Sequence, residues 1–230
     1  MKLFITGASG FIGKVLLDRL CALVGQQDRI FILSRSAYHN PDKRVQLLKG
    51  SLETIEHFRQ NLLESDYVFH IAANATFGRG IDYELTNFIG TQSIVDILKA
   101  SKCLKKFIFT STIGAVDRHA SDRCVAPLNL ESTPSPTSDY GRSKLKAEYC
   151  ISDSGIPYVI LRPTWVYGKN MRRKSHIAVF VSMAYRKSPL MHFCFPGKVS
   201  LIHVDDPAKA LVNAMANGTA LNKTYFAETE

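Results

Sequence analysis

The sequence has no long hydrophobic run. Its longest apolar stretches, such as residues 30–33 and 158–161, fall far short of the roughly 18 to 20 residues that a membrane-spanning helix needs. The apolar start at residues 3–5 ends at Thr6-Gly7, whereas the hydrophobic region of a signal peptide needs roughly 7 to 15 residues. We therefore expect no contact with a membrane, no secretion and a cytoplasmic location.

Cysteine is scarce and follows no pattern. The five cysteines include no Cys-x-x-Cys pair, and the seven histidines form no His-Glu-x-x-His motif. An odd number of cysteines without the spacing of metal ligands argues against both a disulfide framework and a structural metal. The simplest interpretation is a reduced protein without a metal site.

Acidic residues are outnumbered by basic ones, 20 to 29, which gives a formal net charge of +9. The basic residues are nevertheless dispersed, and the one tight cluster is Arg172-Arg173-Lys174. Nucleic-acid binding is indicated by a basic patch together with a recognition motif, so we do not expect a nucleic-acid partner. The cluster would suit a diphosphate group of a substrate, but a solvated basic loop is the commoner explanation.

Apolar runs alternate with helical patterns along most of the chain. Of the 230 residues, 46% are hydrophobic and 21% charged, enough for one core or a core with a small lobe. Strand and helix patterns in alternation predict a Rossmann-type, doubly wound parallel sheet with helices on both faces, an α/β fold. The predicted strands are residues 3–6, 30–33, 45–48, 67–71, 106–110 and 157–161. Helices are predicted between them, a first one that carries the apolar positions within 12–23 and three more over 53–63, 82–100 and 139–152.

The pattern is less regular after residue 161. A proline-rich loop at 120–138 precedes the helix at 139–152, and a turn is predicted at 163–168. Beyond it we expect a helix at 175–187, a strand at 199–203, a helix at 207–217 and a last strand at 224–227. The expected organisation is a dinucleotide-binding domain over residues 1–163, with 202–230 packing back on it, and a small substrate-facing segment over 164–201.

Three glycines, each three residues after the last, lie between the first strand and the first helix. The run is Thr6-Gly7-Ala8-Ser9-Gly10-Phe11-Ile12-Gly13. Glycine permits both the sharp turn and the close approach of a pyrophosphate to the helix amides, whose partial positive charge stabilises it. The position after a strand and before an amphipathic helix predicts a dinucleotide-binding turn.

The end of the second predicted strand carries Ser34-Arg35. An NAD-binding site usually has a carboxylate there, which accepts a hydrogen bond from the ribose 2′-hydroxyl. A guanidinium instead suits a 2′-phosphate, and no carboxylate is present to repel one. The sequence therefore favours NADP(H), with NAD(H) as the alternative if Arg35 is merely solvated.

Tyr140 and Lys144 lie at i and i+4, on one face of a predicted helix. An ammonium close to a phenol favours the phenolate, which makes the phenol a better proton-transfer group near neutral pH. Thr110-Ser111-Thr112 ends the fifth predicted strand, at the sheet edge where doubly wound folds bind ligands. A surface tyrosine and lysine would explain the pair alone, but not its combination with these hydroxyls.

In these motifs and their order, the chain resembles the extended short-chain dehydrogenase/reductase family. The likeness is to its NAD(P)-dependent epimerase/dehydratase branch, which includes 3β-hydroxysteroid dehydrogenase-like and dihydroflavonol reductase-like enzymes. The matching motifs are residues 6–13, His70-Ile71-Ala72-Ala73, Asn87-Phe88-Ile89-Gly90-Thr91, 107–112, 136–144, Leu161-Arg162-Pro163 with Val166-Tyr167-Gly168, and His203-Val204-Asp205-Asp206.

The resemblance implies a role for each matched residue. Thr112 would hold the substrate oxygen, Tyr140 would transfer the proton, and Lys144 would contact the nicotinamide ribose and tune the tyrosine. His70 and Asn87 are not assigned to catalysis. Similar proteins commonly form dimers through the helix that bears Tyr140. The implied cofactor-binding residues are Thr6, Gly7, Ser9, Gly10, Phe11, Ile12, Gly13, Arg35, Ser51, Leu52, Ala72, Ala73, Tyr140, Lys144 and Pro163.

Three departures from the family pattern qualify these expectations. Ser51 replaces the acidic residue that usually meets the adenine. Thr112-Ile113-Gly114 stands where nucleotide-sugar dehydratases carry Thr-Asp-Glu, which argues against that activity. Family members usually continue well past the strand matched by residues 224–227, so part of the substrate lobe is expected to be missing.

The leading hypothesis is an NADP(H)-dependent oxidoreductase that interconverts a secondary alcohol and a ketone of a small-molecule substrate. A nucleotide-sugar epimerase, which runs the same hydride step out and back, is the close alternative. A regulatory protein that binds NAD(P) without turnover is a third hypothesis, which the intact Thr112, Tyr140 and Lys144 disfavour.

Overall fold

The computed structural model describes residues 1–38, 40–76, 80–117, 127–171, 175–187 and 199–229. The basic cluster at 172–174 and parts of the predicted loop at 120–138 and of the segment 164–201 lie outside these residues. None of the described helices is long and apolar enough to cross a bilayer. The described strands are β1 (Lys2–Thr6), β2 (Arg29–Ser34), β3 (Val45–Lys49), β4 (Tyr67–His70), β5 (Lys106–Thr110), β6 (Tyr158–Pro163), β7 (Trp165–Tyr167), β8 (Leu201–His203) and β9 (Lys223–Ala227).

Seven strands form one sheet in the order β3-β2-β1-β4-β5-β6-β9, and all neighbours are parallel. The helices around it are α1 (Phe11–Leu23), α2 (Arg59–Leu63), α3 (Gly90–Leu98), α4 (Asp139–Ser152), α5 (His176–Tyr185) and α6 (Asp205–Ala216). The predicted doubly wound α/β fold is confirmed. The chain winds outward in opposite directions from β1 and β4, and the gap between their carboxyl ends is where such sheets bind ligands.

Each face of the sheet has its own apolar core, because successive side chains of a strand point to opposite faces. Leu3 and Ile5 pack with α1 and α6 on one face. Phe4, between them, packs with α3 and α4 on the other. The two cores fix the helices that carry the predicted site residues against one rigid sheet.

Two of the predicted helices are less regular than expected. Residues 53–63 form a 3₁₀ segment (Leu52–Phe58) followed by α2. Phe58, where the two meet, has non-helical backbone angles. Thr54, inside the 3₁₀ segment, also departs from helical geometry, and its hydroxyl accepts a hydrogen bond from the Ser51 amide at 3.0 Å. The predicted helix at 82–100 begins as a π-helical turn (Glu84–Ile89) before α3.

The turn predicted at 163–168 contains a strand. β7 pairs in parallel with β8, Trp165 opposite Leu201, to form a separate two-stranded sheet. A three-residue strand gives almost no periodic signal, and its partner is remote in sequence. The local pattern therefore revealed only the flanking proline and glycine.

Candidate active site

A cleft of about 860 Å³ opens at the carboxyl ends of the central strands. It runs between the turn after β1, the ends of β2 and β5, and the start of α4. Of the residues predicted from the sequence, fourteen line it, and Gly13 and Lys144 do not: the lining set is Thr6, Gly7, Ser9, Gly10, Phe11, Ile12, Arg35, Ser51, Leu52, Ala72, Ala73, Thr112, Tyr140 and Pro163.

The turn after β1 is shaped by glycine. Gly7 has φ of +78°, and a Cβ there would lie 2.6 Å from the Ala72 amide nitrogen, so only glycine fits. The Gly10 amide donates to the Gly7 carbonyl at 2.9 Å, and α1 starts at the next residue. No side chain of the described residues caps α1, which leaves its first amides available to an anion in the cleft.

Gly13 acts behind the turn rather than in the cleft wall. A Cβ at Gly13 would lie 2.0 Å from the Gly7 carbonyl oxygen. Its place in the motif is therefore explained by the packing of α1 against the turn.

One end of the cleft is formed by residues that follow β2 and β3. Arg35 is exposed there, and no described carboxylate forms an ion pair with it. Ser51 and Leu52 line the same region, together with Glu53. Sequence reasoning missed Glu53, which places a carboxylate two residues beyond the position where the family carries one.

The end of β5 supplies three hydroxyl side chains to the cleft. The Thr112 hydroxyl oxygen accepts a hydrogen bond from the Gly114 amide at 3.2 Å, so the hydroxyl hydrogen remains available for another acceptor. The hydroxyl oxygens of Thr110 and Ser111 are buried and have no hydrogen-bond partner among the described residues. Buried hydroxyls without partners are unfavourable unless a ligand or water satisfies them.

Tyr140 lies in the first turn of α4, which Ser138 caps by accepting from the Gly141 amide at 3.0 Å. The edge of the Tyr83 ring meets the Tyr140 ring, with 5.8 Å between centroids and 66° between planes. The Tyr83 hydroxyl donates to the Thr76 carbonyl at 2.5 Å. These contacts hold Tyr83 against the phenol ring at the cleft wall.

Lys144 is buried one turn further along α4, with 1% of its surface exposed. Its ammonium nitrogen lies 3.9 Å from the centroid of the Phe109 ring and has no hydrogen-bond partner among the described residues. Burial lowers the pKa of Lys144 from 10.5 to about 7, against the opposing effect of the Glu148 carboxylate. A buried ammonium that lacks hydrogen-bond acceptors and loses its proton near neutral pH is a candidate for binding a ligand.

A buried ion pair holds α4 to the sheet. Glu148 accepts from the Arg162 guanidinium at 3.0 and 2.6 Å, in a forked arrangement. Both side chains are at most 10% exposed, and the forked geometry fixes their relative orientation. The pair sets the position of α4 one turn beyond Lys144.

Gly141 allows α4 to approach the turn after β5. A Cβ at Gly141 would lie 2.2 Å from the Gly114 carbonyl oxygen. Gly141→Ala is therefore expected to lower the free energy of unfolding by about 1 to 3 kcal/mol and to separate Tyr140 from Thr112, which would lower turnover. Urea unfolding and steady-state kinetics would measure both effects.

Gly218 provides the matched control for that substitution. No atom lies within 4 Å of the Cβ position at Gly218, so Gly218→Ala is expected to change stability by less than about 0.5 kcal/mol. Equal stability of the two alanine variants would contradict the close approach.

Other lining residues gave no signal in the sequence. Asn74 and Thr86 line the cleft from the loop after β4 and from the π-helical turn. Thr164, Met171 and Ser175 line it from the segment after β6. Small polar and flexible apolar residues in loops match no motif, so only the fold could bring them to the cleft.

The sequence model of the NAD dependent epimerase/dehydratase family matches residues 3–225 of the chain. The chain therefore belongs to this family. The predicted likeness to the NAD(P)-dependent epimerase/dehydratase enzymes is confirmed.

Several characterised and uncharacterised proteins are similar to the chain. An uncharacterised protein of Sinorhizobium fredii is 32% identical over 71% of this chain and 41% of its own length. The 2-alkyl-3-oxoalkanoate reductase of Shewanella oneidensis is 29% identical over 97% of this chain and 60% of its own length. The chain thus spans about half the length of these curated relatives.

Solved structures share the fold. The crystal structure of UDP-glucose 4-epimerase from Thermotoga maritima with UDP-glucose is 25% identical and has a TM-score of 0.79, covering 100% of this chain and 77% of that one. The likeness extends over both the seven-stranded sheet and the helices around it.

Proposed function

We propose that the chain is an NADP(H)-dependent oxidoreductase that interconverts a secondary alcohol and a ketone. The observation that carries the proposal is one continuous cleft. It joins the glycine turn at Gly7 and Gly10, which leads into the start of α1, to the hydroxyl groups of Thr112 and Tyr140. The residues fit a nicotinamide dinucleotide, because its pyrophosphate would meet the α1 amides and its hydroxyls would satisfy buried polar atoms that lack partners.

Tyr140 and Thr112 have complementary parts in this reaction. In the reductive direction, the hydride added to the carbonyl carbon would come from a nicotinamide held in the cleft. The carbonyl electron pair moves to the substrate oxygen, and the Tyr140 hydroxyl gives that oxygen its proton. Since the Thr112 oxygen already accepts from the Gly114 amide, its hydroxyl hydrogen is directed to the same substrate oxygen. Oxidation runs these steps in reverse.

Lys144 contributes its ammonium to the nicotinamide ribose and to the proton balance of Tyr140. Its three N–H donors have no protein acceptor among the described residues, and Tyr140 lies one helical turn before it. A cation one helical turn away would stabilise the phenolate that remains after proton transfer.

The preference for NADP(H) rests on Arg35. With no described carboxylate paired to it, its guanidinium is available for a 2′-phosphate, and charge-assisted hydrogen bonds contribute about 1.5 to 3 kcal/mol. Arg35→Ala is therefore expected to weaken NADP(H) binding by roughly tenfold to more than a hundredfold while leaving NAD(H) binding nearly unchanged. Fluorescence titration with each cofactor measures the two dissociation constants.

Arg29 offers a control for nonspecific charge effects. It is an exposed arginine at the opposite end of β2, so Arg29→Ala should leave both dissociation constants within about twofold. Equal affinity of the unsubstituted chain for NAD(H) and NADP(H) would contradict the preference.

A second candidate function is a nucleotide-sugar epimerase, favoured by the likeness to the Thermotoga maritima enzyme over the whole chain. Tyr140 and Thr112 would then act on an oxygen of the sugar. The hydride would be returned to the opposite face of the carbon that carries this oxygen. Incubation with ketones and with UDP- or GDP-sugars separates the alternatives. Net oxidation of NADPH indicates a reductase, epimerisation without net cofactor change indicates an epimerase, and neither indicates a regulatory protein.

The substrate would contact the segment 164–201, since Val166 and Met171 line the cleft. The small-molecule substrate and a cytoplasmic location belong to the same proposal. So does a homodimer formed through α4, where Tyr149 is 52% exposed.

A further inference from the structure

A continuous chain of buried hydrogen bonds joins the cofactor end of the cleft to the helix that bears Tyr140. It starts at Thr6, at the end of β1, passes through His70 at the end of β4, and reaches Thr91 in α3. Thr91 donates to the backbone carbonyl of Asn87, and the side chain of the same Asn87 donates to Ser143 in α4. All five side chains are at most 2% exposed.

The backbone fixes the direction of the first half of this chain. The Ala72 amide can only donate, and it donates to the Thr6 hydroxyl oxygen at 3.2 Å. The Asn87 carbonyl can only accept, and it accepts from the Thr91 hydroxyl at 2.7 Å. His70 lies between the two hydroxyls, with Nδ1 2.6 Å from Thr6 and Nε2 2.9 Å from Thr91.

These directions determine which His70 nitrogen carries the hydrogen. Because the Thr91 hydroxyl donates to a carbonyl, its oxygen is left to accept from Nε2–H of His70. The lone pair of Nδ1 then accepts from the Thr6 hydroxyl. The neutral Nε2–H form satisfies all of these groups. In an Nδ1–H form, Nδ1–H would donate to the Thr6 oxygen, the Thr6 hydroxyl hydrogen would have no acceptor among the described residues, and the Nε2 lone pair would face the Thr91 oxygen without a donor.

The surroundings of His70 disfavour an added charge. The ring packs against both Phe107 and Phe109, with centroid distances of 6.0 and 5.5 Å. Burial, and then the positive charge of Lys144, lower the pKa of His70 well below its usual 6.5. Thr6 and Thr91 provide its hydrogen-bond partners, and the ring faces no described carboxylate that would stabilise the imidazolium.

Asn87 carries the second half of the chain to the cleft wall and to α4. Its amide nitrogen donates to the Asn74 carbonyl and to the Ser143 hydroxyl, both at 3.1 Å. Its amide oxygen accepts from the Asn74 amide at 2.8 Å. Both N–H donors of the Asn87 side chain are therefore used. The Ser143 hydroxyl in turn donates to the Tyr140 carbonyl at 2.8 Å.

We propose that His70 is a positioning residue which, as its neutral Nε2–H tautomer, couples the dinucleotide-binding turn to the position of Tyr140. The coupling of the two ends to activity rests on the proposed function; the tautomer does not. A displacement of Thr6 on cofactor binding would be transmitted to Asn87. From there it would reach Asn74, which lines the cleft, and the Tyr140 backbone. Neither His70 nor Thr91 lines the cleft, so their effect on binding would be exerted through this chain.

The tautomer can be measured in the whole chain without any ligand. Long-range ¹H–¹⁵N NMR of the imidazole rings is expected to show His70 as the neutral Nε2–H form between about pH 5.5 and 8. The exposed residue His57 provides the reference. Thr6→Val should shift the Asn87 side-chain amide resonances. An Nδ1–H form, an imidazolium at neutral pH, or unchanged Asn87 resonances would overturn the proposal.

Thr91 tests the coupling to cofactor binding. Thr91→Val removes the acceptor of His70 and is expected to raise the cofactor dissociation constant by roughly 2- to 10-fold, whereas Thr91→Ser should restore it. Ser93→Ala is the matched control, because Ser93 lies in α3 and donates to a carbonyl four residues back, as Thr91 does, but outside the chain.

The outcomes separate this proposal from the proposed function. An unchanged dissociation constant in a folded Thr91→Val chain, or failure of Thr91→Ser to restore it, would overturn the coupling. If the unsubstituted chain bound no dinucleotide, the proposed function would fail. The tautomer and the Asn87 resonances would still decide the role of His70, and they would do so even if Thr91→Val did not fold.

Discussion

Tyr140→Phe is expected to lower turnover by about 10² to 10⁴ while leaving the cofactor dissociation constant nearly unchanged. The substitution removes the hydroxyl that exchanges a proton with the substrate oxygen. It retains the aromatic ring that meets the edge of Tyr83, so the cleft wall should keep its shape. Steady-state kinetics and fluorescence titration measure the two effects separately.

Tyr149→Phe supplies the control on the same helix. Tyr149 is exposed and does not line the cleft, so its variant should turn over substrate at nearly the rate of the unsubstituted chain. Near-normal activity of Tyr140→Phe on any substrate would contradict the assignment of the proton transfer.

Lys144→Met is expected to raise the free energy of unfolding by roughly 2 to 4 kcal/mol at pH 7. The ammonium of Lys144 is buried against Phe109 without an acceptor among the described residues, and methionine fills a similar volume without that charge. The same variant should lose both cofactor affinity and turnover, because it removes the proposed ribose contact. A gain in stability with a loss of function is typical of a residue kept for its chemistry.

The pH dependence gives the stability prediction its sign. The folded-state pKa of Lys144 is lowered to about 7 from 10.5, so between these values the unfolded chain holds a proton that the folded chain has released. Above about pH 10.5, Lys144 is neutral in both states and does not lower the free energy of unfolding. As the pH falls from about 10.5 to about 7, the free energy of unfolding decreases, and below about 7 the decrease is complete. The advantage of Lys144→Met should be largest at and below neutral pH and should shrink as the pH rises.

Urea unfolding between about pH 6 and 9.5 would measure this trend. Lys146→Met is the control, because Lys146 is half-exposed on the same helix and pairs with Glu84 at the surface; its removal should change stability by about 1 kcal/mol or less at each pH. A difference between Lys144→Met and the unsubstituted chain that did not change with pH would contradict the burial of a titrating ammonium.

The parts of the fold that followed from the sequence are those with strong local patterns. The strands β1, β2 and β5 are continuous apolar runs, and the glycine run after β1 combines a strand, a turn and a helix within about a dozen residues. Such signals depend on neighbouring residues alone. They were sufficient to predict the sheet, its parallel connections and the position of the cleft.

The features that the sequence did not predict depend on contacts between distant segments. β7 became a strand because β8 pairs with it across a long separation. The π-helical turn at Glu84–Ile89 has the same apolar spacing as an ordinary helix, so periodicity could not distinguish them. Glu53 lines the cleft only because a 3₁₀ segment replaces the expected first turn of a helix.

The candidate site was predictable in its residue types and less so in their environment. The i, i+4 spacing indicated that Tyr140 and Lys144 share a helix face. It could not indicate that the Lys144 ammonium is fully buried against Phe109. Likewise, the sequence assigned His70 no catalytic role, and only the directions of its hydrogen bonds indicated a fixed tautomer.

Transfer of a label from the cofactor tests the central proposal most directly. The chain and its Tyr140→Phe variant would be incubated with NADPH carrying deuterium at the nicotinamide C4 position and a panel of ketones and keto sugars, and the products analysed by mass spectrometry. The predicted result is an alcohol that gains one deuterium with the unsubstituted chain, at a rate that falls by about 10² to 10⁴ with Tyr140→Phe. Equal labelling by both proteins, or no labelled product by either, would contradict hydride transfer assisted by Tyr140.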